Sequence, residues 1–265
     1  MTIGSAILNS KYNVGDEYEV SSVRKALELL CAFRLENPKC SLTALAQTVG
    51  IPKSTAHNLL KTLQLYDFVR QDAETKRYQL GPRVHELGFL FSQGSDLIPK
   101  AAPFLRKLAE QTLETVKLGV LSNGEMLVVF AIESPHQLHT RGDFGRRWCL
   151  HSSGLGKAIL AALPTEEAIE LMQRQGMPRF TSRTITDRRK LEANLREART
   201  RGYALDWEEN EPGVRCVASG VRGTSGIVAA VSVSGPSLRI TEKSSRELAL
   251  LVVETARNIA AALRS

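Results

Sequence analysis

Ser54, Asn58 and Lys61 recur at intervals of four and three, the spacing that stacks side chains along one face of a helix. A hydroxyl, a carboxamide and an ammonium group in such a row can bond to base edges and phosphate oxygens. His57 flanks the row on one side and Thr55 and Thr62 on the other, with Lys53 at the start of the segment. A second candidate is Gly154-Leu155-Gly156-Lys157, which invites a phosphate-loop reading. A Walker loop, however, needs Gly where this chain has His151 and Ser or Thr where it has Ala158, and a dinucleotide fingerprint lacks its third glycine. What remains at Ser152, Ser153, Gly154 and Leu155 is a set of backbone amides at an expected helix start, where unpaired N–H groups and the helix dipole favour a carboxylate; an ordinary cap beside a close-packed glycine is the alternative. Cys149, His151, Asp206 and Cys216 form a third set, since a thiol with imidazole and carboxylate can do nucleophilic catalysis, although nothing near them marks a lowered thiol pKa.

These groups need elements to position them. Ser41 is suited to cap a helix that buries Leu42, Leu45, Ala46 and Val49 and stops at Gly50, a natural left-handed C-cap. Gly50-Ile51-Pro52 makes a turn, and a second helix opening at Pro52 buries Ala56, Leu59, Leu60 and Leu63, leaving the Ser54-Asn58-Lys61 row free. Taken alone this is either a helix-turn-helix or an ordinary helical hairpin. The flanks favour the former. Upstream, Ser22–Phe33 predicts a third helix with apolar residues at 23, 26, 27, 30 and 33, ended by Asn37-Pro38. Downstream, Phe68-Val69-Arg70 and Arg77–Leu80 flank the polar tip Asp72–Lys76, which predicts a wing with Lys76 and Arg77 placed to meet phosphate.

Beyond Gly81-Pro82, the stretch Arg83–Gln93 carries Val84, Leu87, Phe89, Leu90 and Phe91, too apolar for a lone surface helix and suited to packing against a second subunit. A helix from about Leu97 to Leu113 then leads to strands at 116–121 and 126–132 around Asn123-Gly124, a strong hairpin signal. Helical patterns at 156–163, 165–175 and 187–201, strands at 214–218 and 226–233, and a closing helix at 241–263 complete an α+β domain. Ser232 and Ser234, two apart in a strand, share a face opposite Val231 and Val233.

The net charge of +7 and a pI near 9.4 suit a nucleic-acid partner, yet residues 20–93 hold ten Lys and Arg against six Asp and Glu, a balance of only +4, so charge alone supports DNA binding weakly. The 265 residues suffice for two domains without help from metals or cofactors, and Cys31, Cys40, Cys149 and Cys216 have neither zinc-ligand nor disulfide-framework spacing. Free thiols, the lack of a membrane-length apolar run and the lack of a signal pattern lead us to expect a cytoplasmic protein that does not engage membranes.

The runs SVRKALELLCAF, LTALAQTVGIPKSTAHNLLKTL, DAETKRYQLGPRVHELG, LHSSGLGKAILAALP, FTSRTITD, REARTRGYALDWEENEPGVRCVAS and GIVAAVSVSGPSLRI, in this order, resemble the IclR family of bacterial transcriptional regulators over roughly residues 20 to 264. The chain differs from many relatives in carrying Asn58 where they have Arg, and Ala218-Ser219-Gly220-Val221 where they have Ala-Ala-Pro-Val. The resemblance implies an arm at 1–19, a winged helix-turn-helix domain at 20–81, a linker helix at 82–95 and a GAF-like effector-binding domain at 96–265. It implies a regulator, a repressor in preference to an activator, whose operator is read by Lys53, Ser54, Thr55, His57, Asn58, Lys61, Lys76 and Arg77. It also implies an effector, an organic or sugar-derived acid, held by Ser153, Gly154, Leu155, Asp206, Cys216, Ser232 and Ser234, with Asp206 accepting from a ligand hydroxyl. A homodimer, and in some relatives a tetramer, is the implied assembly. The remaining alternatives are a thiol-dependent enzyme domain fused to a DNA-binding domain, and an architectural DNA-binding protein with no ligand.

Overall fold

The structure, a computed structural model, describes residues 19–34, 37–94, 96–223 and 226–264. The expected arm at 1–19 lies outside the described residues except for Glu19. The chain divides into two compact units, with the division after Gly94.

In the first unit, α1 (Ser21–Cys31), α2 (Leu42–Val49) and α3 (Lys53–Leu65) precede the antiparallel pair β1 (Val69–Gln71) and β2 (Tyr78–Leu80). The Ser41 side chain accepts from the Ala44 amide at 3.2 Å and caps α2, and Gly50 ends it at φ 72°, a conformation only glycine adopts without cost. Pro52 is the N-cap of α3 rather than its first residue, since its extended ψ of 143° still belongs to the turn. The shared core holds Leu29, Leu45, Ala46, Ala56, Leu60, Val69 and Tyr78. One expectation fails here. Val23 and Leu27 of α1 are more than half exposed while Leu29 is fully buried, because the neighbours of α1 cover the 26, 29, 30 and 33 side of the helix. Cys40 bridges Tyr78 through reciprocal backbone bonds of 2.8 and 2.7 Å, which ties the segment before α2 to the wing. At the wing tip the Asp72 carboxylate accepts from the amides of Glu74 and Thr75. α4 (Pro82–Gly94) closes this unit with Leu87, Phe89, Leu90 and Phe91 exposed.

In the second unit, α5 (Leu97–Thr112) leads into β3 (Thr115–Ser122), β4 (Glu125–Ile132), β5 (Arg147–Trp148), α6 (Gly154–Ala162), α7 (Thr165–Gln175), α8 (Arg188–Arg201), β6 (Ala204–Trp207), β7 (Val214–Gly223), β8 (Gly226–Pro236) and α9 (Glu242–Ala262). The six strands form one antiparallel sheet in the order β5-β4-β3-β8-β7-β6. Strand alternation sorts its side chains between two cores. Val116, Leu118, Val231 and Val233 meet α5 and α9 on one face, whereas Met126, Ala218 and Ala230 meet α6 and α8 on the other. β5 and β6 are short strands that the sequence reading did not anticipate, and β7 and β8 run further than expected because each pairs with the other along nearly its whole length. No described helix is long and apolar enough to cross a membrane.

Candidate functional site

On α3 the buried positions Ala56 and Leu60 fix the rotation of the helix, so Lys53, Ser54, Asn58 and Lys61 are exposed while Thr55 and His57 lie at its half-buried margins. The Thr62 hydroxyl donates to the Asn58 carbonyl at 3.1 Å and is therefore engaged with its own helix. Lys76 and Arg77 are exposed beside the wing turn, Lys76 at φ 56° and with its carbonyl accepting from the Gln71 amide group.

The second unit holds a cavity of about 450 Å³ between the α6 face of the sheet, the start of α6 and the 133–146 connection between β4 and β5. All seven residues assigned to the effector from the sequence line it: Ser153, Gly154, Leu155, Asp206, Cys216, Ser232 and Ser234. Sheet register explains the convergence. Thr115 stands opposite Ser234, Ser234 opposite Cys216 and Cys216 opposite Asp206, one row across four strands. Gly154 is demanded by close approach, since a Cβ there would come within 2.7 Å of the Cys216 sulfur. A valine at 154 would therefore clash with Cys216.

The side chains differ in what they leave available. Ser153 is an N-cap, its hydroxyl donating to the Cys149 carbonyl and accepting from the Gly156 amide, so only its neighbours' amides are offered. The Ser234 hydroxyl is 3.0 Å from that of Thr140, whereas the buried Ser232 hydroxyl meets no hydrogen-bond geometry although it lies beside the Cys216 thiol. Asp206 accepts from the Glu209 amide at 2.8 Å and more weakly from that of Asn210; its deep burial pushes its carboxyl up to about 7, against the pull of nearby Lys157. Burial pushes the Cys216 thiol up to about 12, helped by the Asp206 charge. That is the opposite of an activated nucleophile. His151 is lowered from its ordinary value by burial, bonds through Nε2 to the Pro178 carbonyl at 3.0 Å, stacks on Phe180 and does not line the cavity. His151 therefore stands outside the cavity that Cys216 and Asp206 line. Among the described residues no cluster of His, Cys, Asp or Glu is placed to hold a metal.

Lys117, Asp143, Arg146, Trp148, Arg141 and Asn210 also line the cavity and were missed by the sequence reading. Lys117 gave a usable signal: it interrupts an apolar strand between Val116 and Leu118, so alternation puts it on the face of Thr115 and Gly119. Ser219 and Gly220, within the stretch that differs from many relatives, do not line this cavity and border a smaller one of about 140 Å³ near Ala161 and Tyr203.

Residues 22–73 match the model of the IclR helix-turn-helix domain, and residues 91–261 match that of the bacterial transcriptional regulator IclR C-terminal domain. The chain is 34% identical over 244 residues to the transcriptional repressor IclR of Escherichia coli (strain K12), covering 91% of this chain and 89% of that protein. It is likewise 34% identical over 243 residues to the HTH-type transcriptional repressor AllR of Klebsiella pneumoniae, again covering 91% and 89%. Among solved structures, the IclR transcriptional regulator of Alicyclobacillus acidocaldarius superposes with a TM-score of 0.84 at 26% identity, over 93% of this chain and all of that one. With both units matched in order, and with a free polar row on α3 and a polar cavity in the second unit, this chain belongs to the IclR family of bacterial transcriptional regulators.

Proposed function

We propose that the chain represses transcription by binding operator DNA as a homodimer through α3 and the wing, and that a small organic acid bound in the second unit alters its hold on DNA. The domains are then the DNA-binding domain at 20–81, the linker helix at 82–95 and the effector domain at 96–265. The observation that carries the effector assignment is the chemistry of the cavity wall. The amides of Gly154 and Leu155 at the start of α6, the unpartnered Ser232 hydroxyl and the cations Lys117, Arg141 and Arg146 border one space, a set of donors suited to an anion. The relatives' names as repressors favour repression over activation. Exposed Leu90 and Phe91 on α4 give the pairing surface, and pairing through effector domains would make a tetramer. We assign no catalytic activity, because the chain belongs to a family of regulators and burial raises the Cys216 thiol where a nucleophile needs it lowered. A chromosomal partner places the protein in the cytoplasm.

The effector reading is tested by calorimetry with a panel of organic acids and of neutral sugars, followed by operator binding at saturating ligand. Acids are expected to bind and to change operator affinity, with Ser232→Ala weakening them; uptake of neutral sugars alone would discard the acid. The DNA reading makes a separate prediction. Lys61→Ala should weaken all sequences alike and lower the salt slope by about one, as loss of one phosphate contact does. Asn58→Ala should instead relax base preference, at a cost of about 1–3 kcal/mol on the operator alone. Equal losses on operator and random DNA would remove Asn58 as a base reader.

A further inference from the structure

Residues 133–146 form one wall of the cavity, and the sheet holds this strap at several points. Thr115 Oγ1 donates to the Thr140 carbonyl at 2.7 Å and the Gly145 amide to the Val128 carbonyl at 2.9 Å, while within the strap the Gly142 amide donates to Glu133 Oε1 at 2.7 Å. The next residue is Asp143. Its Oδ2 lies 2.9 Å from Lys117 Nζ and its Oδ1 3.1 Å from Arg146 Nη1, so the two oxygens of one carboxylate are shared between two cations. The Lys117 and Asp143 side chains are only 10% and 11% exposed, so solvent screens their attraction less than that of a surface pair. Asp143 sits at φ 55°, a left-handed backbone that a non-glycine residue holds only when its surroundings compensate. The guanidinium of Arg146 is in turn fixed 4.0 Å over the Trp148 ring.

A carboxylate belonging to the protein thus occupies the cationic end of the cavity. A ligand carboxylate would meet the same two donors, and two like charges side by side cannot both hold them at full strength. We propose that Lys117 and Arg146 anchor the carboxylate of the effector, and that Asp143 is a built-in competitor which the effector displaces, loosening residues 141–144 while the backbone bonds of Gly145 and Arg146 to Val128 keep the end of the strap on β4. Lys117 faces Ser232 directly across the sheet, so the unpartnered hydroxyl stands next to the anchored group. The ligand class is then a small carboxylate, and a neutral amide of the same shape fails because it cannot exchange with Asp143. The inference rests on the acid-effector reading above and adds to it the anchoring pair and the competitor.

Calorimetry with acetate, glycolate and benzoate as probes, and with acetamide and benzamide as neutral controls, tests it on the full-length protein. Asn tolerates left-handed backbone and keeps the shape of Asp, so Asp143→Asn removes the competing charge with little strain. This variant is expected to bind the carboxylates roughly tenfold more tightly, and Lys117→Met roughly tenfold or more weakly, as loss of a charge-assisted hydrogen bond implies. Amide hydrogen exchange at 141–144 should quicken on saturation with a probe, and in Asp143→Asn without one. A wild type that takes up none of the carboxylates overturns the acid reading itself. If the acids bind but Lys117→Met, shown folded by its thermal melt, binds them as the wild type does, or if Asp143→Asn binds them no better, the anchor-and-competitor proposal alone falls.

Discussion

Replacing Lys157 with methionine is expected to lower the unfolding free energy by roughly 3–5 kcal/mol, the cost of breaking a buried ion pair from one side. Lys157 is fully buried on α6, and its ammonium pairs with Glu209, whose side chain is itself 7% exposed. The second oxygen of Glu209 has no hydrogen-bond partner, and the Asp206 carboxyl is close enough to feel both charges. Methionine fills most of the lysine volume, so the change removes the charge without opening a large cavity. Glu209 would then have to ionise without its cation or take up a proton. Urea unfolding at neutral pH measures the loss, and Lys157→Met with Glu209→Met should recover much of it, because an apolar pair carries no desolvation cost. A single variant within about 1 kcal/mol of wild type would mean that the pair behaves like a solvated surface bridge.

The second large effect is expected in the pH dependence of stability at Asp206. Its carboxyl ionises near 3.8 in an unfolded chain and near 7 in the fold, with burial as the main cause. Between those values the folded state holds a proton that the unfolded state has released, so this group's contribution is fully present below about pH 4 and is lost as pH rises towards 7. A shift of that size corresponds to on the order of 4 kcal/mol. Asp206→Asn keeps an acceptor for the Glu209 and Asn210 amides but does not titrate, so the variant should gain on the wild type as pH rises from 4.5 to 8. His151 works in the opposite sense. Its lowered pKa means that acidification below 6.5 favours the unfolded state, so only the difference between wild type and variant isolates Asp206. A difference that stays flat across this range would show that Asp206 is ionised throughout.

The helix-turn-helix was legible because its determinants are local. Ser41 as a cap, Gly50 as a left-handed stop and the 3.6-residue apolar period of α2 and α3 each act within a few residues, and the fold adopts all three. Strand alternation likewise put Ser232 and Ser234 on one face. Even the face of α1 was off, however, because its own pattern admitted Val23 and Leu27 while contact with neighbouring helices chose Leu29. Lys157 shows the limit more sharply. In sequence it completes a Gly-Leu-Gly-Lys run that fails as a phosphate loop; in the fold it meets Glu209, 52 residues away, in a buried pair that no local spacing encodes. Lys117 meets Asp143 across 26 residues and stands opposite Ser232 from a distant strand. By itself the sequence determined the longer helices, the two hairpin turns and the apolar side of α2, α3 and β8, since these follow from backbone preference and period, but not the short strands β5 and β6 or the buried face of α1. The tertiary structure alone decided which charges share a buried space, because strand register and the packing of α6 on the sheet bring together groups whose separation along the chain carries no physical information about their distance.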